Sequence, residues 1–114
     1  MLCYTLQHHL TYNMHQVTCV QLHQWIREER DFLLIDVREE WEHEAYNIGG
    51  ILISSGTLIT RKNELPIDKD IVIYCEKGIR SAIAIQRLEA LGFEKLHNLT
   101  GGMKAWKEFQ KIFN

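Results

Sequence analysis

One stretch of the chain gathers a nucleophile, a turn-former and two cations: Cys75-Glu76-Lys77-Gly78-Ile79-Arg80-Ser81. Directly before it stands Ile71-Val72-Ile73-Tyr74, a β-branched and aromatic run that reads as a strand. Directly after it, from about Ser81, Ala84, Leu88 and Leu91 fall on one face of a helix, with Ile85 beside them. A loop that turns sharply from strand into helix points successive backbone N–H groups into its own centre. The helix start adds unpaired donors and the positive end of its dipole. Gly78 supplies the backbone freedom for the turn. The product is a cup for an anion, and with Cys75 at its base the first anion it stabilises is the thiolate. Lys77 and Arg80 add local positive charge, and Arg80 offers a planar fork suited to sulfonate or phosphate oxygens. Cys75 therefore reads as an activated nucleophile, and Glu76, Lys77, Gly78, Ile79, Arg80 and Ser81 as its substrate-binding loop.

Other elements must hold that loop in place. Leu22, Trp25 and Ile26 mark one face of a short helix between Val20 and Glu29. Phe32-Leu33-Leu34-Ile35, ending at Asp36, is a continuous apolar run of the kind buried on both faces of a parallel sheet. Arg38 to Ala45 is charged and helix-prone, and Asn47-Ile48-Gly49-Gly50 ends it in a turn. Ile51-Leu52-Ile53 is a short strand, and a helical turn is expected between Leu58 and Glu64. Gly92 sits where a C-terminal cap belongs, Lys95 to Leu99 form another strand, and Met103, Trp106, Phe109 and Phe113 stripe a last helix. Strands alternating with helices predict an α/β fold: a central parallel sheet of about five short strands with helices on both faces. Ligands in such folds bind beyond the carboxyl ends of the strands, which points at Asp36, Ser54 and above all Cys75.

Composition narrows the function classes. The chain has 114 residues, 46% hydrophobic and 25% charged, so one domain with a real core is expected. Residues 1–15 lack a clear period and are expected to form an arm, partly disordered or an extra strand; residues 16–114 form the domain. The net charge of −2 provides no global field for nucleic acid or an anionic membrane. Three cysteines, Cys3, Cys19 and Cys75, cannot all pair and show no CxxC spacing, which favours a reducing, cytoplasmic setting. The opening residues make a poor signal peptide, and no run of apolar residues reaches membrane-spanning length. His8, His9 and His15 lie close in sequence but lack a framing fold, so no metal site and no cofactor are expected.

Four segments, in order and spacing, resemble the rhodanese family of sulfurtransferases: Leu34-Ile35-Asp36-Val37-Arg38-Glu39, Asn47-Ile48-Gly49-Gly50, Tyr74 to Ser81, and Asn98-Leu99-Thr100-Gly101-Gly102-Met103-Lys104-Ala105-Trp106. Many members carry a His-Ile-Pro-Gly-Ala segment where this chain reads Asn47-Ile48-Gly49-Gly50-Ile51. That variant is similar to the rhodanese-like tails of the adenylyltransferases in molybdopterin and thiamine sulfur-carrier pathways, although Leu52-Ile53-Ser54 departs from their usual Leu-Ile-Pro.

The resemblance implies that Cys75 accepts sulfane sulfur and holds it as a persulfide, that the 76–81 loop cradles it, and that Asp36 and Arg38 support the site structurally. Its implied partners are a small anionic donor such as thiosulfate, a cysteine desulfurase or a sulfur-carrier protein. A persulfide carrier with little small-molecule turnover is the alternative. A cysteine phosphatase or arsenate-reductase-like enzyme is the third reading. It fits less well, because the phosphatase pattern C-x5-R puts arginine six positions after the cysteine, where this chain has Ser81. Cys3 and Cys19 have no loop context, and Trp106 reads as core.

Overall fold

The computed structural model describes residues 14–113. Its elements run β1 (His15–Val17), α1 (Cys19–Arg27), β2 (Phe32–Asp36), α2 (Glu40–Ala45), β3 (Ile51–Leu52), α3 (Ser55–Leu58), a 3₁₀ turn (Lys62–Glu64), β4 (Asp70–Tyr74), α4 (Ile79–Ala90), β5 (Leu96–Leu99) and α5 (Gly102–Phe113). The five strands form one sheet in the order β1-β5-β4-β2-β3. Every pairing is parallel. Of the arm, Met14 and His15 are described, and His15 already opens a strand paired with β5.

Alternation along the central strands splits the core into two layers. Ile71 and Ile73 face one side with Ile35, and pack with Ala84, Ile85 and Leu88 of α4 and Leu58 of α3. Val72 and Tyr74 face the other, with Leu22 of α1 and Met103, Trp106 and Phe109 of α5. Both faces are covered, which is why β2 and β4 read as unbroken apolar runs.

Several helix starts are set by polar capping rather than by apolar spacing. In α1 the Thr18 hydroxyl accepts the Gln21 N–H at 3.1 Å, and the Gln21 side chain accepts the Thr18 N–H at 2.9 Å. This reciprocal cap starts the helix at Cys19 instead of Val20, and it ends at Arg27 instead of Glu29. The segment expected to be helical from Arg38 begins its helix only at Glu40, because Arg38 is drawn into the core. The turn expected between Leu58 and Glu64 resolves into α3, which ends at Leu58, and the separate 3₁₀ turn.

The connection from β2 runs to β3 on one side of the sheet, and the connection from β4 runs to β5 on the other. The carboxyl ends of these two neighbouring strands, Asp36 opposite Tyr74, therefore form the switch point at which the chain diverges. Cys75 follows Tyr74 directly.

Candidate active site

The helix after Cys75 starts earlier than its apolar spacing predicts. Gly78 is its N-cap residue, at φ +94, and Ile79 is its first helical residue. Arg80 and Ser81 thus belong to the first turn, where backbone N–H groups have no partner within the helix. No side chain caps this end in the usual way. Instead the Cys75 Sγ accepts the N–H of Gly78 at 3.1 Å and that of Ser81 at 3.4 Å. The sulfur occupies the place of a capping oxygen, at the positive end of the helix dipole.

Cys75 is 1% exposed. Burial works against its ionisation, but the Ser81 hydroxyl and amide and the amides of Gly78 and Lys77 outweigh it, and the thiol pKa falls below its ordinary value. The Ser81 hydroxyl lies 3.3 Å from Sγ and also donates to the Asn98 side-chain oxygen at 2.6 Å. Its single proton serves one partner at a time, so the amides are the permanent donors. Asn98, in β5, also donates from its side-chain nitrogen to the Gly78 carbonyl at 3.1 Å and so holds both ends of the turn.

A second prop comes from α5. The carbonyls of Cys75 and Glu76 accept the N–H groups of Met103 and Lys104, both at 2.9 Å. Gly102 makes this approach possible: its φ is +62, and a Cβ there would lie 2.5 Å from the Cys75 carbonyl oxygen.

Asp36 and Arg38 form a buried clamp, 0% and 2% exposed. The Arg38 guanidinium donates to the Asp36 carboxylate from Nη2 at 2.9 Å and from Nε at 3.0 Å, to the Tyr46 carbonyl at 2.6 Å and to Glu76 at 3.4 Å. It therefore ties the end of β2 to the end of α2 and to the Cys75 loop. Burial alone would raise the Asp36 carboxyl, but hydrogen bonds from Arg38 and His43 hold it below its ordinary value.

The cleft above Cys75 has a volume of about 360 Å³ and is lined by Glu42, Cys75, Glu76, Lys77, Ile79 and Arg80. Of the six residues expected to form the loop, Gly78 and Ser81 hydrogen-bond the sulfur, and Glu76, Lys77, Ile79 and Arg80 line the cleft beside Cys75. Arg80 differs from expectation in its posture. Its two terminal nitrogens grip the Glu42 carboxylate at 2.8 and 2.9 Å. That contact draws the Glu42 carboxyl down to about 2. Lys77 is exposed and makes no ion pair among the described residues.

Sequence reasoning missed Glu42 and Asn98. Glu42 meets Arg80 across 38 residues of chain, a distance no local pattern encodes. A polar Asn98 inside a buried strand was the available signal for the second. The remaining candidates are not brought to the site. Cys19 packs in the layer of α1 and α5, on the sheet face opposite Cys75. Burial pushes its thiol up. His15 stacks on His97 at 5.1 Å, while His8, His9 and Cys3 lie outside the described residues. Among the described residues no cluster of three or more His, Cys, Asp or Glu could hold a metal. None of their helices is long and apolar enough to cross a membrane. Trp106 is core, 4% exposed.

A cysteine capping a helix at the switch point of a parallel sheet defines a class of α/β proteins built around a thiol in an amide-lined loop. Within that class the chain belongs to the rhodanese-like family, whose domain matches residues 18–109. A sulfurtransferase of Allochromatium vinosum is 35% identical over 94 residues, covering 82% of this chain and 88% of that protein. The probable adenylyltransferase/sulfurtransferase MoeZ of Mycobacterium tuberculosis is 34% identical over 93 residues, 79% of this chain; the chain spans 24% of that relative's length. A rhodanese-like domain protein from Staphylococcus aureus superimposes with a TM-score of 0.75 at 31% identity, over 82% of this chain and 91% of that one.

Proposed function

We propose that the protein is a sulfurtransferase that carries sulfane sulfur as a persulfide on Cys75. The observation that carries this reading is the convergence of the Gly78 and Ser81 amides on a buried Sγ, at 3.1 and 3.4 Å. Such donors stabilise a sulfur anion without a metal or an organic cofactor. In the first half-reaction the Cys75 thiolate attacks the outer sulfur of a donor, either thiosulfate or a persulfide. The S–S bond of the donor breaks, and sulfite or the donor thiolate leaves with the bonding electron pair. Cys75 now carries one extra sulfur. In the second half-reaction an acceptor thiolate or cyanide attacks that outer sulfur and leaves with it, and the Cys75 thiolate returns. The scheme is ping-pong with a covalent intermediate. Asp36 and Arg38 serve as scaffold, because both are buried behind the loop and neither lines the cleft.

Intact-mass measurement after treatment with excess thiosulfate or cysteine persulfide should show one added sulfur on the wild-type chain and none on Cys75→Ser. A Cys75→Ser chain that gains the same sulfur at the same rate overturns the assignment. A carrier role in a sulfur relay uses the same persulfide. It is distinguished by slow turnover with cyanide and fast transfer from a protein persulfide such as that of a cysteine desulfurase.

A further inference from the structure

Arg80 was the residue expected to hold the anionic end of a donor, and the structure shows it already occupied. Its guanidinium is clasped end-on by Glu42, whose side chain is 12% exposed and aligned by the Glu39 N–H at 3.0 Å. The other acidic group of the cleft, Glu76, faces Arg38. Among the lining residues, Glu42 and Glu76 offset Lys77 and Arg80, so the wall carries no net positive charge and turns negative once Cys75 ionises. Ile79, 66% exposed, gives the cleft an apolar side.

A dianion entering this cleft can pair with Lys77, but it finds Arg80 already held by Glu42 and lies near that carboxylate. An organic persulfide has no such demand: it reacts as the neutral R–S–SH, whose outer sulfur reaches Sγ while the carboxylate and ammonium of its cysteine stay at a distance. From these contacts we infer that Glu42 is a specificity residue that biases the site toward organic persulfide donors, carried on a cysteine, and against small dianions such as thiosulfate. This inference rests on the proposed sulfur transfer through Cys75.

The size of the effect follows from Coulomb's law. Two donor charges about 8 Å from the Glu42 charge, in an effective dielectric of about 60, change the thiosulfate rate by a factor of about ten. A single charge at the same distance changes a rate by about threefold.

Two measurements test this. In the first, Cys75 is alkylated with anionic iodoacetate and with neutral iodoacetamide, and the ratio of the two rates is taken. The ratio cancels the thiolate fraction and does not depend on sulfur chemistry. In the second, kcat/KM is measured for thiosulfate and for cysteine persulfide. In E42Q, which keeps an oxygen for the Glu39 N–H, the iodoacetate-to-iodoacetamide ratio should rise about threefold. The thiosulfate-to-persulfide ratio of kcat/KM should rise about tenfold. Glu42→Asp, which keeps the charge, should hold both ratios near wild type. An unchanged alkylation ratio in E42Q, or a Glu42→Asp chain that behaves like E42Q, overturns the role of Glu42 while leaving Cys75 sulfur transfer standing. A raised alkylation ratio in a protein whose Cys75 gains sulfur from neither donor overturns the sulfur-transfer reading and, with it, the donor class.

Discussion

Replacing Gly102 with alanine should damage the Cys75 loop from a helix that contributes nothing to the cleft lining. Gly102 sits at φ +62, where a side chain costs roughly 1–2 kcal/mol. Its new Cβ would stand 2.5 Å from the Cys75 oxygen and 2.7 Å from the carbonyl carbon and oxygen of Glu76. These are backbone atoms, so relief requires the loop and the start of α5 to separate. That movement strains the two 2.9 Å bonds from Met103 and Lys104. Overpacking of this kind typically costs about 1–3 kcal/mol, so the total should be about 3 kcal/mol. For a domain of this size that is a fall in Tm of roughly 10–15 °C. Gly92→Ala is the control, because Gly92 also has positive φ, +104, but a Cβ there meets nothing within 4 Å. It should lose only the backbone contribution, about 1 kcal/mol. Urea midpoints give the stabilities, and the pH dependence of Cys75 alkylation reports on the cup. Gly102→Ala should raise the pH at which Cys75 becomes reactive, because the Gly78 and Ser81 amides move with the loop. Equal losses in the two variants would refute the steric reasoning. A destabilised Gly102→Ala with unshifted Cys75 reactivity would refute the coupling between α5 and the loop.

The buried clamp makes a second prediction. Arg38→Leu leaves the buried Asp36 carboxylate with only His43, 2.8 Å away, as a side-chain partner and should cost about 3 kcal/mol, while Asp36→Leu/Arg38→Leu should cost well below the sum of the single losses. Additive losses in urea unfolding would show that the two groups do not act as a pair. A third concerns thiol titration. Cys75 is shifted below its ordinary value and Cys19 above it, so site-resolved alkylation should develop first at Cys75 as pH rises and only later at Cys19. The sign for stability follows: a depressed folded pKa stabilises the fold above the pKa of the unfolded thiol, and that contribution disappears as pH falls through the folded value. Cys75→Ser should therefore lose more stability relative to wild type at pH 10 than at pH 6.

The fold was legible because its periods are simple. Ile71 to Tyr74 is apolar on both faces of a central strand, and the stripes of α4 and α5 face the two core layers. The cup was legible as well, since Cys75, Gly78 and Ser81 lie within seven residues and local backbone geometry joins them. Its finer form was hidden. The apolar spacing of α4 begins at Ala84, whereas the helix begins where Gly78 takes a left-handed conformation, so the first turn carries no apolar signature. The posture of Arg80 depends on Glu42, and the fixing of Ser81 on Asn98, 17 residues away. Both are tertiary contacts between polar groups, and a single sequence gives no rule for pairing them. Arg38 was expected as structural support beside Asp36, two residues away, but its contacts with the Tyr46 carbonyl and the Glu76 carboxylate are tertiary and had no signal in the sequence.

The size of the cup bears on which chemistry it suits. A loop that binds a phosphoryl group must spread its amides around three oxygens and set an arginine across them. Here two amides converge on one atom, the Cys75 sulfur, at ordinary hydrogen-bonding distance. The hydroxyl donor near it, that of Ser81, is shared with Asn98. The arginine is turned aside to Glu42 rather than laid over the cup. A one-residue extension between Gly78 and Ser81 would change this balance: it would open the ring of amides, move the arginine to the sixth position after Cys75 and release the Ser81 amide from Sγ. The short loop leaves little space above the thiolate, in keeping with the proposed persulfide, in which one sulfur is joined to another. The same economy of space brings Gly102 against the loop backbone and leaves side chains, Glu42 among them, to line the mouth of the cleft.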